Sequence, residues 1–195
     1  MINKVIVVVL LCMITFEVNA QKISVDRIEN DGRHQIMTKS KEYSIDGAKF
    51  NFCIKVLESS SGKDWLLLVS SYNYIPSSSE ILLKLGNDEV IYLPVNNVRV
   101  AKVTMPGYGY TIGSITAFSP STEVDYYSSV YVLSDIKMDQ IDTHGITKIR
   151  ISDGSKYRDE IFSSNTLGRF LTKCRKNIIK RLKEPKQQKG LFEDF

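Results

Sequence analysis

Between Met105 and Gly113 the chain runs Met-Pro-Gly-Tyr-Gly-Tyr-Thr-Ile-Gly. Glycines let a backbone turn tightly and approach a ligand, and tyrosines offer flat apolar faces with a polar tip. That combination suits a platform for sugars or peptides. Tyr108 and Tyr110 are its candidate ligand-binding residues, and Tyr126 and Tyr127 extend the aromatic surface. The same residues also read as a structural turn whose tyrosines pack on a sheet. The glycine spacing is not that of a nucleotide-binding loop, because no strand-to-helix junction follows it.

A second constellation lies near the C-terminus. Leu167, Phe170, Leu171, Cys174, Ile178 and Leu182 recur at helical spacing and make one apolar stripe. The remaining positions hold Arg169, Lys173, Lys176, Lys180 and Arg181, together with Arg175 and Lys183. Such a face fits an anionic partner: a lipid surface, an acidic polysaccharide or an acidic protein. It equally fits a solvated face on a packed helix. Nucleic acid is excluded as a partner, because no aromatic residues interleave with the basic run and the chain carries an export signal.

Catalytic patterns are scarce. The chain has no Gly-x-Ser-x-Gly elbow and no His-Glu-x-x-His. Asp135, Asp139 and Asp142 fall on or near one face of a short predicted helix, where they favour its N-terminal half and its solvation over a metal site. His34 and His144 stand far apart, and no closely spaced cysteine pair occurs, so neither metal nor cofactor is expected. Cys53 and Cys174 allow one disulfide in an exported protein, with two buried free thiols as the alternative.

Export is read from residues 1–20. Lys4 precedes an apolar run from Val5 to Ile14, and Val18-Asn19-Ala20 sets compact residues before Gln21. This is the layout of a signal peptide cleaved before Gln21. The apolar run is shorter than the ~20 residues a membrane span needs, so no transmembrane segment is expected in the mature chain. Cys12 sits within the apolar run, which rejects lipidation there. The formal net charge of +4 is uneven: residues 165–195 hold nine Lys/Arg against Glu184, Glu193 and Asp194, leaving the preceding body slightly acidic.

The elements that must position these groups are mostly strands. Residues 23–28 and 33–38 flank Asn30-Asp31-Gly32; residues 42–45 lead through Asp46-Gly47 into 49–57. Residues 81–85 and 89–95 flank Gly86-Asn87-Asp88, and 146–152 run through Asp153-Gly154 towards 157–162. Asp-Gly and Asn-Asp-Gly supply the positive φ that hairpin turns need. Trp65 to Val69 is apolar at every position and predicts a central strand with both faces covered. Pro94 places its strand at an edge or a bulge. Helices are predicted over 135–143, capped by Ser134 and ended by Gly145, and over about 166–183, with Asn165 or Ser164 as cap and Pro185 as stop.

The order of these features resembles a family of small exported bacterial proteins of uncharacterised function. The residues carrying the resemblance are Trp65-Leu66-Leu67-Leu68, Leu82-Leu83-Lys84-Leu85-Gly86 leading to Glu89-Val90-Ile91-Tyr92-Leu93, Tyr131, and His144-Gly145-Ile146-Thr147-Lys148-Ile149-Arg150-Ile151. The resemblance implies a single domain and carries over no activity.

The expectation is therefore one α+β domain over residues 21–185: an antiparallel sheet or sandwich with a C-terminal amphipathic helix packed on it. A mobile tail follows over 186–195. The function expected is a periplasmic or extracellular, non-enzymatic binding or interaction protein of the cell envelope, with an envelope protein, a saccharide or an anionic surface as partner. The alternatives are a hydrolase acting on envelope or extracellular polymers and a structural or assembly component.

Overall fold

Trp65 to Val69 lies in the middle of a ten-stranded antiparallel sheet, between one strand supplied by the preceding hairpin and one from the later half of the chain. The computed structural model describes residues 22–107, 109–112, 115–152 and 156–184, with backbone only over 109–118. The strands are β1 (Ile23–Ile28), β2 (His34–Thr38), β3 (Lys41–Ile45), β4 (Ala48–Ser59), β5 (Gly62–Ser71), β6 (Glu80–Leu85), β7 (Val90–Met105), β8 (Gly109–Ile112), β9 (Ile115–Phe118), β10 (Thr122–Leu133), β11 (Ile146–Ser152) and β12 (Tyr157–Ile161). The helices are α1 (Asp135–His144) and α2 (Thr166–Lys183). The expected signal peptide and C-terminal tail lie outside the described residues, as do Pro185 and the Asp153-Gly154 turn.

The sheet order is β1-β2-β4-β5-β10-β7-β6-β11-β12, with β3 pairing the first half of β4 along the edge that β2 uses further on. Between β2 and β3 the chain leaves the ladder. There the Thr38 hydroxyl takes the place of a backbone partner, accepting from the Ile54 amide at 3.1 Å and donating to the Ile54 carbonyl at 3.4 Å.

The strand begun at Val90 is much longer than sequence suggests. Its first part pairs with β6 and its second with β10, and the change of partner falls at Pro94 and Val95. A bulge leaves Asn96 unopposed between the Val95↔Tyr131 and Asn97↔Val130 pairs. Proline has no N–H to give a ladder, so it sits where the ladder is handed over. Beyond Ser71, β5 ends, and β7 and β10 continue together as a two-stranded ribbon, with β8 and β9 paired past its end.

One face of the sheet carries the core. Phe50, Phe52, Ile54 and Val56 of β4, Trp65, Leu67 and Val69 of β5, Tyr131 and Leu133 of β10, and Ile149 and Ile151 of β11 alternate inward. Leu167, Phe170, Leu171, Cys174 and Ile178 of α2 close the core from the other side. The sheet curls around this helix, so that β12 returns against β3 and the Tyr43 and Phe162 rings meet edge to face at 6.0 Å.

Helix α1 is held by polar groups more than by an apolar stripe. Ser134 caps it by accepting from the Lys137 amide at 3.2 Å, and Gly145 ends it at φ 68°. Arg175 of α2 reaches Asp139 at 2.6 Å, Asp142 at 2.9 Å and Asp135 at 3.4 Å, with its guanidinium carbon 5.9 Å from the Trp65 ring centroid. The acidic face of α1 is thus a docking face. Asn165 occupies the N-cap position of α2 but makes no capping bond with its side chain. Its Oδ1 instead accepts from the Ile146 amide at 2.7 Å, tying the start of α2 to β11.

Candidate functional site

Both helices pack on the inner face, which leaves the outer face of β2, β4, β5, β10 and β7 without a covering element among the described residues. The outward side chains there are set by strand alternation: Met37 on β2, Cys53 and Lys55 on β4, Leu66, Leu68 and Ser70 on β5, Tyr126, Ser128 and Val130 on β10, and Arg99 and Ala101 on β7. The expectation that both faces of the Trp65–Val69 strand would be covered is not met. Trp65, Leu67 and Val69 are buried, while Leu66 and Leu68 are half-buried on the open side.

Those leucines form the floor of a groove. A hollow of about 480 Å³ is lined by Lys55, Leu66, Leu68, Ala101, Tyr126 and Val130 with neighbouring polar groups. A second, of about 460 Å³, joins it at Leu68 and Ser128 and is lined by Met37, Cys53 and Val69, with Ser24, Ser70 and Lys39 at its sides. A third, of about 420 Å³, joins the first at Lys55 and Arg99 and holds Arg27, Arg33, Gln35, Glu29 and Asp31. Each is within the size range of small-ligand sites, roughly 300–1,000 Å³.

The charges divide into paired and unpaired. Arg27 donates to Glu29 at 3.0 Å, and Arg33 meets Asp31 at 2.6 Å. Lys55 and Arg99 make no ion pair or hydrogen bond among the described residues, although both line the same two hollows. Burial draws the Lys55 ammonium below its ordinary value; the nearby Glu29 carboxylate pulls it back up, and the Arg27, Arg33 and Arg99 cations, Arg99 least, push it down. An anion placed between Lys55 and Arg99 would oppose that push.

Tyr126 and Tyr127 do not form one surface. Adjacent residues on a strand point to opposite faces. Tyr126 borders the groove, its hydroxyl 2.7 Å from that of Ser70 and its ring 4.8 Å from Tyr72. Tyr127 faces the inner side, with Tyr74 edge-on at 5.4 Å and its hydroxyl donating to Asp125 at 3.4 Å. Tyr108 and the side chain of Tyr110 lie outside the described residues.

On α2, Arg169, Lys173, Lys176 and Lys180 are exposed. Arg181 is engaged: it donates to Asp26 and to Glu184 at 2.5 Å. Asp26 in turn lies 2.6 Å from Nε2 of the buried His34. Burial raises the Asp26 carboxyl, and the bonds from His34 and Arg181 outweigh it, holding the group below the usual carboxylate range. Cys53 and Cys174 are both free and buried, Cys53 on the outer side of β4 and Cys174 in the core on α2. Burial pushes the Cys53 thiol up to about 12 and the Cys174 thiol up to about 11. Among the described residues no group of three or more His, Cys, Asp or Glu is placed to hold a metal, and no helix is long and apolar enough to cross a membrane.

Sequence reasoning passed over Lys55, Arg99, Leu66 and Leu68. A signal was present in part: Lys55 interrupts a strongly apolar strand, and β5 is apolar on a face that no amphipathic helix remains to cover. Comparison with protein-family models, curated proteins and solved structures finds no match.

Proposed function

We propose that this chain is an exported, non-enzymatic binding protein of the bacterial cell envelope, and that the outer face of β4, β5, β10 and β7 is its binding face. The observation that carries this reading is the groove. Three joined hollows occupy the face that both helices leave open, with Leu66 and Leu68 in the floor and Lys55 and Arg99 unpaired at its centre. Apolar side chains half-exposed on a sheet face lose water when a ligand covers them, and the cations beside them, which hold no ion pair among the described residues, are open to a charged partner. The signal-like N-terminus supports the location.

The test is photo-crosslinking in native envelope, with a photoreactive residue at Ser128 in the groove and, as control, at Ile161, an exposed residue of β12. Adducts at Ser128 and not at Ile161 are the expected result. Equal labelling of the two positions, or none at either, refutes the reading.

A further inference from the structure

We propose that the groove binds a single-chain amphiphile with an anionic head group, an inference that rests on the reading of the outer face as the binding face. The middle hollow joins each of the others through two shared residues, Leu68 with Ser128 on one side and Lys55 with Arg99 on the other, and the outer two adjoin where Met37 lies opposite Lys55. Their chemistry is graded. One presents Met37, Cys53 and Leu68 among small hydroxyl side chains; another presents Arg27, Arg33, Gln35 and two carboxylates. The middle hollow combines a leucine and valine floor with the two cations.

That gradient fixes the orientation of a ligand. The apolar body lies along Leu66, Leu68 and Val130, reaching Cys53 and Met37, and the head sits between Lys55 and Arg99. Lys55 and Arg99 are three strands apart and offset by four residues along them. Lys55 lies in the row of Leu66 and Val132 and Arg99 in the row of Ser128, so they approach the floor diagonally from two sides to line the same hollows. Neither cation holds an ion pair among the described residues, and Glu29 acts on Lys55 only at longer range, so an anionic head between them gains two partners that no carboxylate occupies. Arg27 and Arg33 do not compete for the head, because Glu29 and Asp31 already hold them.

A saccharide fits less well. It would use the polar lining, Ser70, Ser128, Asn96 and Asn97, and leave hydroxyls against the Leu66, Leu68 and Val130 floor. A purely inorganic anion would use Lys55 and Arg99 and leave the apolar hollow unexplained.

The experiment titrates the purified protein with dodecanoate below its micellar concentration, by calorimetry. Saturable binding is expected, at least tenfold weaker for the Lys55→Gln/Arg99→Gln variant and at least tenfold weaker for dodecanol on the native protein. Acetate is expected not to bind at millimolar concentration. Lys63→Gln, an exposed residue of β5 that lines none of the three hollows, is expected to bind dodecanoate within twofold of the native protein. Neither Lys55 nor Arg99 makes an ion pair among the described residues, so the double variant should melt at the native temperature. The ligand class is overturned if dodecanoate does not saturate, if the double variant binds within twofold, or if dodecanol binds equally well. Any of these results together with Ser128 adducts in native envelope removes the amphiphile and leaves the binding face; loss of the adducts removes both.

Discussion

The side chain of Asn165 accepts a hydrogen bond from the backbone amide of Ile146 at 2.7 Å, and this contact seats the C-terminal helix against β11. Two glycines make room for it. A Cβ at Gly145 would lie 2.2 Å from the Asn165 side chain, and one at Gly168 would lie 2.0 Å from its Oδ1. Asn165 itself has φ 48°, a conformation that asparagine tolerates better than most residues.

Gly168→Ala should therefore displace Asn165 and orphan the Ile146 amide. The orphaned amide alone costs about 1–3 kcal/mol. Asn165→Gly keeps the backbone conformation and loses the same bond, so it should fall in the same range. Urea unfolding at neutral pH measures both, and a loss below about 0.5 kcal/mol for both variants would show that the contact does not hold the helix.

Arg175 is the main polar link between the two helices. Its side chain is 12% exposed and meets three aspartates of α1. Arg175→Leu should destabilise the protein by about 2 kcal/mol, the scale of a hydrogen bond to a charged group left unmade. It should also change Trp65 fluorescence, because the guanidinium lies over that ring. Asp139→Asn should cost less, since Asp139 is 65% exposed and two other aspartates remain. Equal effects from the two variants would contradict this.

Asp159 sets an acid limit on the β11–β12 hairpin. Arg150 donates to both its oxygens, at 2.6 and 2.7 Å, and Lys148 meets it at 2.5 Å, holding the carboxyl far below the ordinary 3.8. The folded-state value is depressed, so the stabilisation is complete above the unfolded value and is lost as pH falls through the folded one. Asp159→Asn should lower the urea midpoint at pH 7, and the gap to the native protein should narrow at pH 2.5. A gap that stays constant across that range would remove Asp159 as the cause.

The two thiols should be inert while the chain is folded. Burial raises Cys53 to about 12 and Cys174 to about 11, and the thiolate is the reactive form. Iodoacetamide at pH 8, followed by peptide mapping, should label neither residue in the folded protein and both in urea without reductant. Failure to label them in urea would reveal a bridge.

The cations of α2 should divide by their partners. Lys173→Glu, Lys176→Glu and Lys180→Glu change exposed groups and should each alter stability by less than about 0.5 kcal/mol. Arg181→Glu should be the most destabilising of the set, because it places a carboxylate against Asp26 beneath the buried His34. Thermal melts of the four variants check the order. For binding, reversal of Lys176 and Lys180 should abolish salt-sensitive adsorption to anionic vesicles if the helix face serves an anionic surface; unchanged adsorption would leave that face merely solvated.

Local elements were legible wherever turn chemistry and periodicity act within a few residues. Asp46-Gly47 and Asn30-Asp31-Gly32 mark the hairpins they form, with Asp46 at φ 48° and Gly32 at φ 79°. The apolar stripe from Leu167 to Ile178 placed α2 because its spacing is a property of the helix alone. The long β7 was not legible past Val95. There the strand changes partner, a bulge shifts its phase, and residues 101–105 run on in a two-stranded ribbon beyond the end of β5, so no regular alternation is imposed.

By itself, the sequence determined the hairpins, the two helices, the α+β class and which face of α2 is apolar, because each follows from contacts between residues close along the chain. The tertiary structure decided what those elements surround. Strand order brings Lys55 and Arg99 over one floor, turns Tyr126 outward and Tyr127 inward, and sets Arg175 against the aspartates of α1. Those relationships depend on register between distant strands, which hydrogen bonding and core packing fix together and no local pattern encodes.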